Sequence, residues 1–327
     1  MMASITPSFP NVKQSICKVP EVTAYFWICK VCATTVGETI SDFFNTLTDP
    51  SANGSGLGYC AIIFFPLLFL TLLVCDCLSV FGWLLLKSLI FFSSFHAFQV
   101  QIRQKTYVPA VYWTAIVLMS ICGTIFTDGL YDNLGLELWI QIIMFSFVMF
   151  ACFYTWYRVE GTLAVHSINT SRREVFYWLT ILFTFALGTA VGDYISTVWP
   201  VSFGDILALF AGCLVAIGGI WTAFRHFGVS VKNDSIDIGL FWSAYIMTRP
   251  LGAATGDFLG QNKANGGLGL GYGYTSLLFI GLIIILVCGL TYTGLDRIVI
   301  ITPQSEADAK AEEEQDAYTR VATQEKV

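Results

Sequence analysis

A tryptophan, a glycine and an aspartate recur four times along the chain at one spacing: Trp27, Gly37, Asp42; Trp113, Gly123, Asp128; Trp178, Gly188, Asp193; and Trp242, Gly252, Asp257. Ten positions separate Trp from Gly and five separate Gly from Asp in every copy. Self-similarity of this kind is the signature of a repeat architecture, so the chain reads as four copies of one supersecondary unit. Each copy also ends an apolar segment with a carboxylate, and a charge in such surroundings needs a partner or water.

Hydrophobic residues make up 55% of the chain and charged residues 12%, and the mean hydropathy is +0.68. A soluble domain carries about 25% charged residues. Apolar runs lie near 22–43, 60–100, 108–128, 136–157, 175–195, 204–224, 238–259 and 273–295, and a bilayer-spanning helix takes about 20 residues. The expected fold is an all-α polytopic membrane protein, with about eight transmembrane helices as four tandem parallel two-helix repeats. Its segments are a head (1–21), repeat one (22–101), repeat two (102–158), repeat three (159–225), repeat four (226–296) and a tail (297–327). The head lacks a basic start, an apolar core and a small-residue cleavage site, so no cleaved signal peptide is expected.

Basic residues set the orientation. Thirteen of the seventeen lie in the head (Lys13, Lys18), the linkers (Arg103, Lys105, Arg158, Arg172, Arg173, Arg225, Lys232) and the tail (Arg297, Lys310, Arg320, Lys326). The positive-inside rule then places both termini and every inter-repeat linker in the cytoplasm. Four repeats of like orientation form either a closed ring with a pseudo-four-fold axis or two stacked pairs.

The Trp-to-Trp period is 86, then 65, then 64 residues, so repeat one holds about 21 extra apolar residues between Cys60 and Gln101. The charge pattern favours one crossing there plus a re-entrant or interfacial segment, broken at Asp76 and Lys87. From Pro303 onward the chain clusters Glu312, Glu313 and Glu314 without apolar periodicity, the composition of a disordered extension.

Three stretches resemble one membrane-protein family in order: Lys18–Trp27 continuing through Thr34–Glu38, Tyr157–Ser167, and Thr248–Ala253. That family is catalogued as domain of unknown function 347, four tandem repeats of two transmembrane regions sharing a tryptophan. The resemblance spans roughly 18–296 and implies architecture without supplying an activity. The insertion and the acidic tail depart from the family pattern.

Small residues four apart recur before each aspartate, as Gly37 and Ser41, Gly123 and Thr127, Gly188 and Gly192, and Gly252 and Gly256. Such pairs let helices approach closely in lipid, so the four glycines are assigned to helix packing. Trp27, Trp113, Trp178 and Trp242 are assigned to helix packing with the glycines; they lie near the cytoplasmic ends of their helices, where interfacial anchoring also accounts for them. Cys29 and Cys32 share a helix face, but no second Cys or His pair completes a metal-ligand set. No metal site and no cofactor is expected.

The aspartates fall ~22 Å of helical rise beyond the tryptophans. Either each buttresses the start of its trailing helix, or the four converge and attract a cation, as acidic rings do. The first and last repeats break the pattern. Only the first leading helix lines up Lys30, Thr34, Glu38 and Asp42 at four-residue steps, and only the fourth carries Arg249 followed by Pro250. Pro250 removes one helix hydrogen bond, freeing the Ile246 carbonyl and favouring a kink. An intramembrane charge costs about 2.5–3.5 kcal/mol on insertion scales, so Arg249 is expected to reach Glu38 across the interface of the first and last repeats.

Candidate substrate or ion ligands are therefore Glu38, Asp42, Asp128, Asp193, Asp257, Arg249, Lys30 and Thr34. The function expected is a transporter or channel for a cation or other small solute. The alternative is a non-transporting scaffold or sensor whose polar residues serve helix packing. No nucleophile–base pair, metal quartet or phosphate loop points to an enzyme. The expected partners are the lipid bilayer and a small solute or cation, not nucleic acid.

Overall fold

The computed structural model describes residues 14–48, 63–64, 66–67, 107–199, 201–227, 234–296 and 299–301. Among them run seven long helices: α1 (Ala24–Thr48), α2 (Pro109–Asp128), α3 (Leu138–Glu160), α4 (Ser171–Val198), α5 (Phe203–His226), α6 (Asp234–Gly260) and α7 (Tyr272–Thr293). Each coincides with one of the apolar runs. The remaining run, 60–100, lies outside the described residues except at 63, 64, 66 and 67, which are helical. Asp76, Lys87 and the acidic tail also lie outside them.

Local chemistry sets the helix ends. Pro109 opens α2 at a first-turn position where its missing N–H costs nothing. The Thr170 side chain caps α4 by accepting from the Arg173 N–H. Ser202 and Asp205 form a reciprocal capping box on α5. Gly161 and Gly294 end α3 and α7 in the left-handed conformation, with φ of 72° and 63°. Pro250 sits inside α6, which runs on to Gly260.

By length and composition α3, α4, α5, α7 and α2 with its terminal turn are apolar enough to cross a membrane. The other two helices carry the core charges, Lys30, Glu38 and Asp42 on α1 and Arg249 and Asp257 on α6. The leading helices α2 and α4 are mostly buried, whereas the trailing helices α3, α5 and α7 are mostly exposed. Phe147, Phe150, Val215, Leu277 and Ile285 point outward from the trailing helices. The bundle thus presents an apolar surface outside and a mixed polar interior, the reverse of a soluble protein's distribution.

The leading helices close into a ring, α1 packing on α2, α2 on α4, α4 on α6, and α6 back on α1. The repeat glycines show why. A Cβ on Gly37 would meet Ser120, one on Gly123 would meet Phe185, one on Gly188 would meet Arg249, and one on Gly252 would meet Thr34. In each case the neighbour stands three positions before the glycine of the next repeat. The fourth contact returns to the first repeat, so the ring has pseudo-four-fold symmetry with its helices parallel and in register. Of the two arrangements open to the sequence, the structure takes the ring.

The head and the linker around 161–170 gather at the tryptophan end of this ring. Lys18 N–H donates to the Ile168 carbonyl at 3.0 Å, and Lys18 Nζ pairs with buried Glu174 at 2.7 Å. Short strands β1 (Gln14–Ile16) and β2 (Val299–Ile301) pair antiparallel, Gln14 opposite Ile301. The head, the linker around 161–170 and the chain after α7 therefore share one end of the molecule.

One expectation needs correction. Trp113, Trp178 and Trp242 are buried and pack edge-on or tilted against Tyr112, Tyr177 and Tyr245, in keeping with their assignment to helix packing and not with an interfacial belt. Trp27 is half-buried against Phe26 and Phe241. The head and the 161–170 linker fold over that end, where Trp242 Nε1 donates to the Leu163 carbonyl at 3.1 Å. The glycine-rich stretch 267–273 is held against the end of α6 by backbone hydrogen bonds. Leu268, Gly269 and Leu270 N–H groups donate to the Phe258, Gln261 and Leu259 carbonyls at 2.7, 2.8 and 3.0 Å. Gly269 and Gly271 supply the left-handed turns, at φ 77° and 80°, that fold it back on α6.

Candidate functional site: the polar axis of the ring

Five positions per leading helix, four residues apart, build the inner face of the ring. From the tryptophan end these layers are Phe26, Tyr112, Tyr177 and Phe241; Lys30, Ile116, Ile181 and Tyr245; Thr34, Ser120, Phe185 and Arg249; Glu38, Thr124, Thr189 and Ala253; and Asp42, Asp128, Asp193 and Asp257. The second, third and fourth layers are buried throughout. All four aspartates are only half-buried. The axis is sealed through its length and opens at the aspartate end.

Arg249 is the pin of the third and fourth layers. Its stem lies on Gly188 of repeat three. Its Nη2 donates to Glu38 Oε2 of repeat one at 2.7 Å and to Thr124 Oγ1 of repeat two. Nη1 also donates to the Thr34 carbonyl at 3.4 Å. One side chain, fully buried, thus contacts all three other repeats, including the one diagonally across the ring. The planar guanidinium suits this task because it presents donors in a fixed fork. The pairing of Arg249 with Glu38, expected from the cost of intramembrane charge, is present. Its diagonal reach to Thr124 was not foreseen.

Lys30 lies one layer below and is also fully buried. Among the described residues its Nζ has no hydrogen-bond partner. It sits 3.8 Å from the centroid of Phe185 and 3.6 Å from that of Tyr245, so two ring faces stabilise the ammonium by about 2 kcal/mol or more when desolvated. Phe185 belongs to repeat three, diagonally opposite, so the Lys30 layer also crosses the axis. Thr34 locks the α1–α6 seam: its hydroxyl contacts the Thr248 carbonyl at 3.1 Å, close to the backbone that Pro250 interrupts.

At the open end the carboxylates converge. Ligand atoms of Glu38, Asp42 and Asp257 lie within 4.8 Å of one another. Asp42 also interacts electrostatically with Asp128 and Asp193, and Asp128 and Asp193 with Glu38. At an effective dielectric of about 20, two unit charges that far apart repel by about 3 kcal/mol. A cation seated among them relieves that repulsion, and carboxylate oxygens suit hard cations. The buttressing alternative holds in part: the Tyr272 hydroxyl, in the first turn of α7, donates to Asp257 Oδ1 at 3.4 Å. Asp128 makes no such bond among the described residues, and α2 runs on from it into a single wide π turn. Cys29 and Cys32 are buried free thiols; among the described residues the acidic trio is the one group with the proximity of a metal-ligand set.

Sequence reasoning missed Thr124, Phe185, Tyr245 and the tyrosine layer. A signal was available: aligning the repeats on tryptophan and reading every fourth residue lists the axis directly.

These features define a class: a ring of four parallel leading helices with exposed apolar trailing helices around it, in the manner of an internally repeated membrane protein. The particular family follows from comparison with known families. The model of the Repeat of Unknown Function (DUF347) matches residues 25–75, 111–162, 176–227 and 240–295, more than half of the chain, and the protein belongs to that family. No curated protein and no solved structure matches it.

Proposed function

We propose that this protein is a membrane transporter for a small cation, carried along the axis of the repeat ring. In this reading eight helices cross the bilayer, the stretch 60–101 supplying the one outside the described residues, and both termini face the cytoplasm. The observation that carries the proposal is the Arg249 pin. It closes, from the centre of the ring, a path whose open end is lined by Glu38 and four half-buried aspartates. A cation arriving among these carboxylates competes with the guanidinium for Glu38, and that competition couples occupancy of the mouth to opening of the axis. Because Phe185, Tyr245, Lys30 and Arg249 fill the axis, passage requires rearrangement, which favours a carrier over an open pore.

The test uses full-length protein in liposomes and uptake of sodium, potassium, magnesium, calcium and manganese ions measured against empty vesicles. Uptake of at least one is expected, falling at least tenfold in Glu38→Gln and in Arg249→Gln while circular dichroism shows both variants folded. Uptake no faster than in empty vesicles for every ion would remove the cation assignment. Undiminished rates in both variants would remove the axis as the route.

A further inference from the structure

We propose that the head is a plug on the tryptophan end of the axis, seated over the Tyr112–Tyr177 pair and latched by the buried ion pair of Lys18 with Glu174. The proposal rests on the transport reading only for what the closed end holds back.

Four parallel helices end here with the layer Phe26, Tyr112, Tyr177 and Phe241. The end layer of a bare helix ring would face its surroundings, yet Tyr112 and Tyr177 are 2% and 0% exposed. Their hydroxyls bond each other at 2.6 Å, which ties α2 to α4 across this end. Cys17 of the head interacts electrostatically with both tyrosines. Cys17 and Val19 belong to one buried apolar cluster with Tyr112, Tyr177, Val165 and Ile168. The cover over the end layer is therefore the head together with the 161–170 linker. At the other end of the axis the four aspartates are half-buried. One end open and the other capped is the asymmetry that alternating access requires.

The head is held at several points around the end. The Lys18 N–H donates to the Ile168 carbonyl at 3.0 Å and the Glu21 N–H to the Asp296 carbonyl at 2.9 Å. Cys17 Sγ faces the Val165 and Ile168 carbonyls at 3.7 and 3.6 Å. Asp296 in turn accepts from the Tyr107 hydroxyl at 2.6 Å, so the head connects the entries of repeats two and three with the exit of repeat four. The charged contact is Lys18 Nζ with Glu174 Oε2 at 2.7 Å, with side chains 8% and 1% exposed. Glu174 lies in the first turn of α4, where a carboxylate is favoured by the helix dipole. Its other oxygen accepts from Trp178 Nε1 at 3.4 Å. The carboxylate is thus fixed to the ring, and the lysine arrives with the head. Four residues before the repeat tryptophans stand Thr23, Pro109, Glu174 and Ile238, so only the third repeat offers the head a carboxylate.

Such a latch is poised to open. In a buried ion pair attraction and lost hydration nearly cancel, whereas one partner left alone is strongly disfavoured. An unpaired charge under the head regains water only if the head lifts. The pairing of β1 with β2 adds three residues a strand, and an isolated two-stranded pair is marginal in water. The axis then carries two closures in series, the Arg249 pin at its centre and the head at its end.

Hydroxyl-radical footprinting of the full-length protein in nanodiscs, read by peptide-resolved mass spectrometry, tests this on native tyrosines. Wild type is expected to protect Tyr112 and Tyr177; oxidation of either as fast as that of Tyr25, 48% exposed on α1, would overturn the plug without any variant. Glu174→Gln and Lys18→Gln each leave one charge unpaired and are expected to raise oxidation of both tyrosines at least fivefold, while Tyr245, one layer deeper, stays protected. Lys18→Glu combined with Glu174→Lys exchanges the charges and is expected to restore protection. Unchanged protection in a single variant that circular dichroism shows folded overturns the latch. Oxidation that spreads to Tyr245, or persists in the exchanged pair, marks general loosening and overturns it too. Footprinting needs no transport, so the two readings fail separately. Cation uptake by wild type with both tyrosines protected in every folded variant ends the plug alone, and a plug that lifts in a protein moving no ion ends the transport reading alone.

Discussion

Replacing Gly252 by alanine tests the ring closure at the seam between the last and first repeats. The added Cβ would lie 2.1 Å from Thr34 Oγ1, 2.5 Å from Thr34 Cβ and 2.8 Å from the Thr34 carbonyl carbon. A flexible side-chain end can move aside, but a backbone atom at 2.8 Å moves only if α1 and α6 part. Overpacking of this kind costs typically about 1–3 kcal/mol. Gly218, inside α5, has nothing within 4 Å of the same added carbon. There alanine gains helix propensity, worth up to about 1 kcal/mol. Two chemically identical substitutions are therefore expected to separate by roughly 2–4 kcal/mol. Among the ring glycines the contacts rank the damage: Gly37 and Gly252, each with backbone at 2.8 Å, worst; Gly188, against Arg249 Cβ and Cγ at 2.6 Å, next; Gly123, with its nearest contact at 2.9 Å, least. The assay is equilibrium unfolding of purified protein in mixed detergent micelles, followed by tryptophan fluorescence. A Gly252→Ala protein as stable as Gly218→Ala would refute the closed ring.

Two further predictions concern the charges and the docked head. Glu38→Leu leaves the buried Arg249 without its carboxylate and is expected to cost about 3–5 kcal/mol, whereas Glu38→Leu with Arg249→Met removes both charges and costs much less; a double-mutant cycle by the same unfolding assay checks this, and additive losses would show that the two are not coupled. Burial pushes the Cys17 thiol up from its ordinary pKa, and its Sγ faces the Val165 and Ile168 carbonyls at 3.7 and 3.6 Å. The thiolate is thus depleted near neutral pH, so peptide-resolved mass spectrometry is expected to find Cys17 unmodified by maleimide until the protein unfolds; rapid labelling of the native protein would contradict the docking of the head on the 161–170 linker.

What the sequence made legible follows from which forces are local. Helix positions were readable because runs of about 20 apolar residues have few other uses. The partnership of Glu38 with Arg249 was readable because two opposite charges inside apolar segments have strong reason to meet. Ring closure was not, because a glycine announces close approach without naming the neighbour. For Trp113, Trp178 and Trp242 packing and an interfacial belt both stayed open: in lipid both faces of a helix are apolar, so composition cannot tell a ring facing the bundle from one facing the bilayer. The pairing of Gln14–Ile16 with Val299–Ile301 joins three-residue strands from opposite ends of the described chain, too short for any periodicity to show. Lys18 with Glu174 is a long-range pair between two ordinary-looking surface residues, yet both are buried.

The pattern of exact repeat and local deviation suggests how the two kinds of residue divide the work. Gly37, Gly123, Gly188 and Gly252 touch the next repeat in the same way at every seam, so they set the ring and cannot distinguish one repeat from another. At the third layer the four repeats differ, with Thr34, Ser120, Phe185 and Arg249 in equivalent places. Had all four been arginine, four buried cations would face one another across the axis at a cost no packing recovers. A single arginine reaches the three other repeats and leaves one carboxylate, Glu38, to balance it. Symmetry thus builds the frame, and the breaking of symmetry at Lys30, Glu38 and Arg249 is what lets its centre hold charge. The four aspartates keep the repeat because they stand at the mouth, half-buried, where water reaches them and repetition is tolerable.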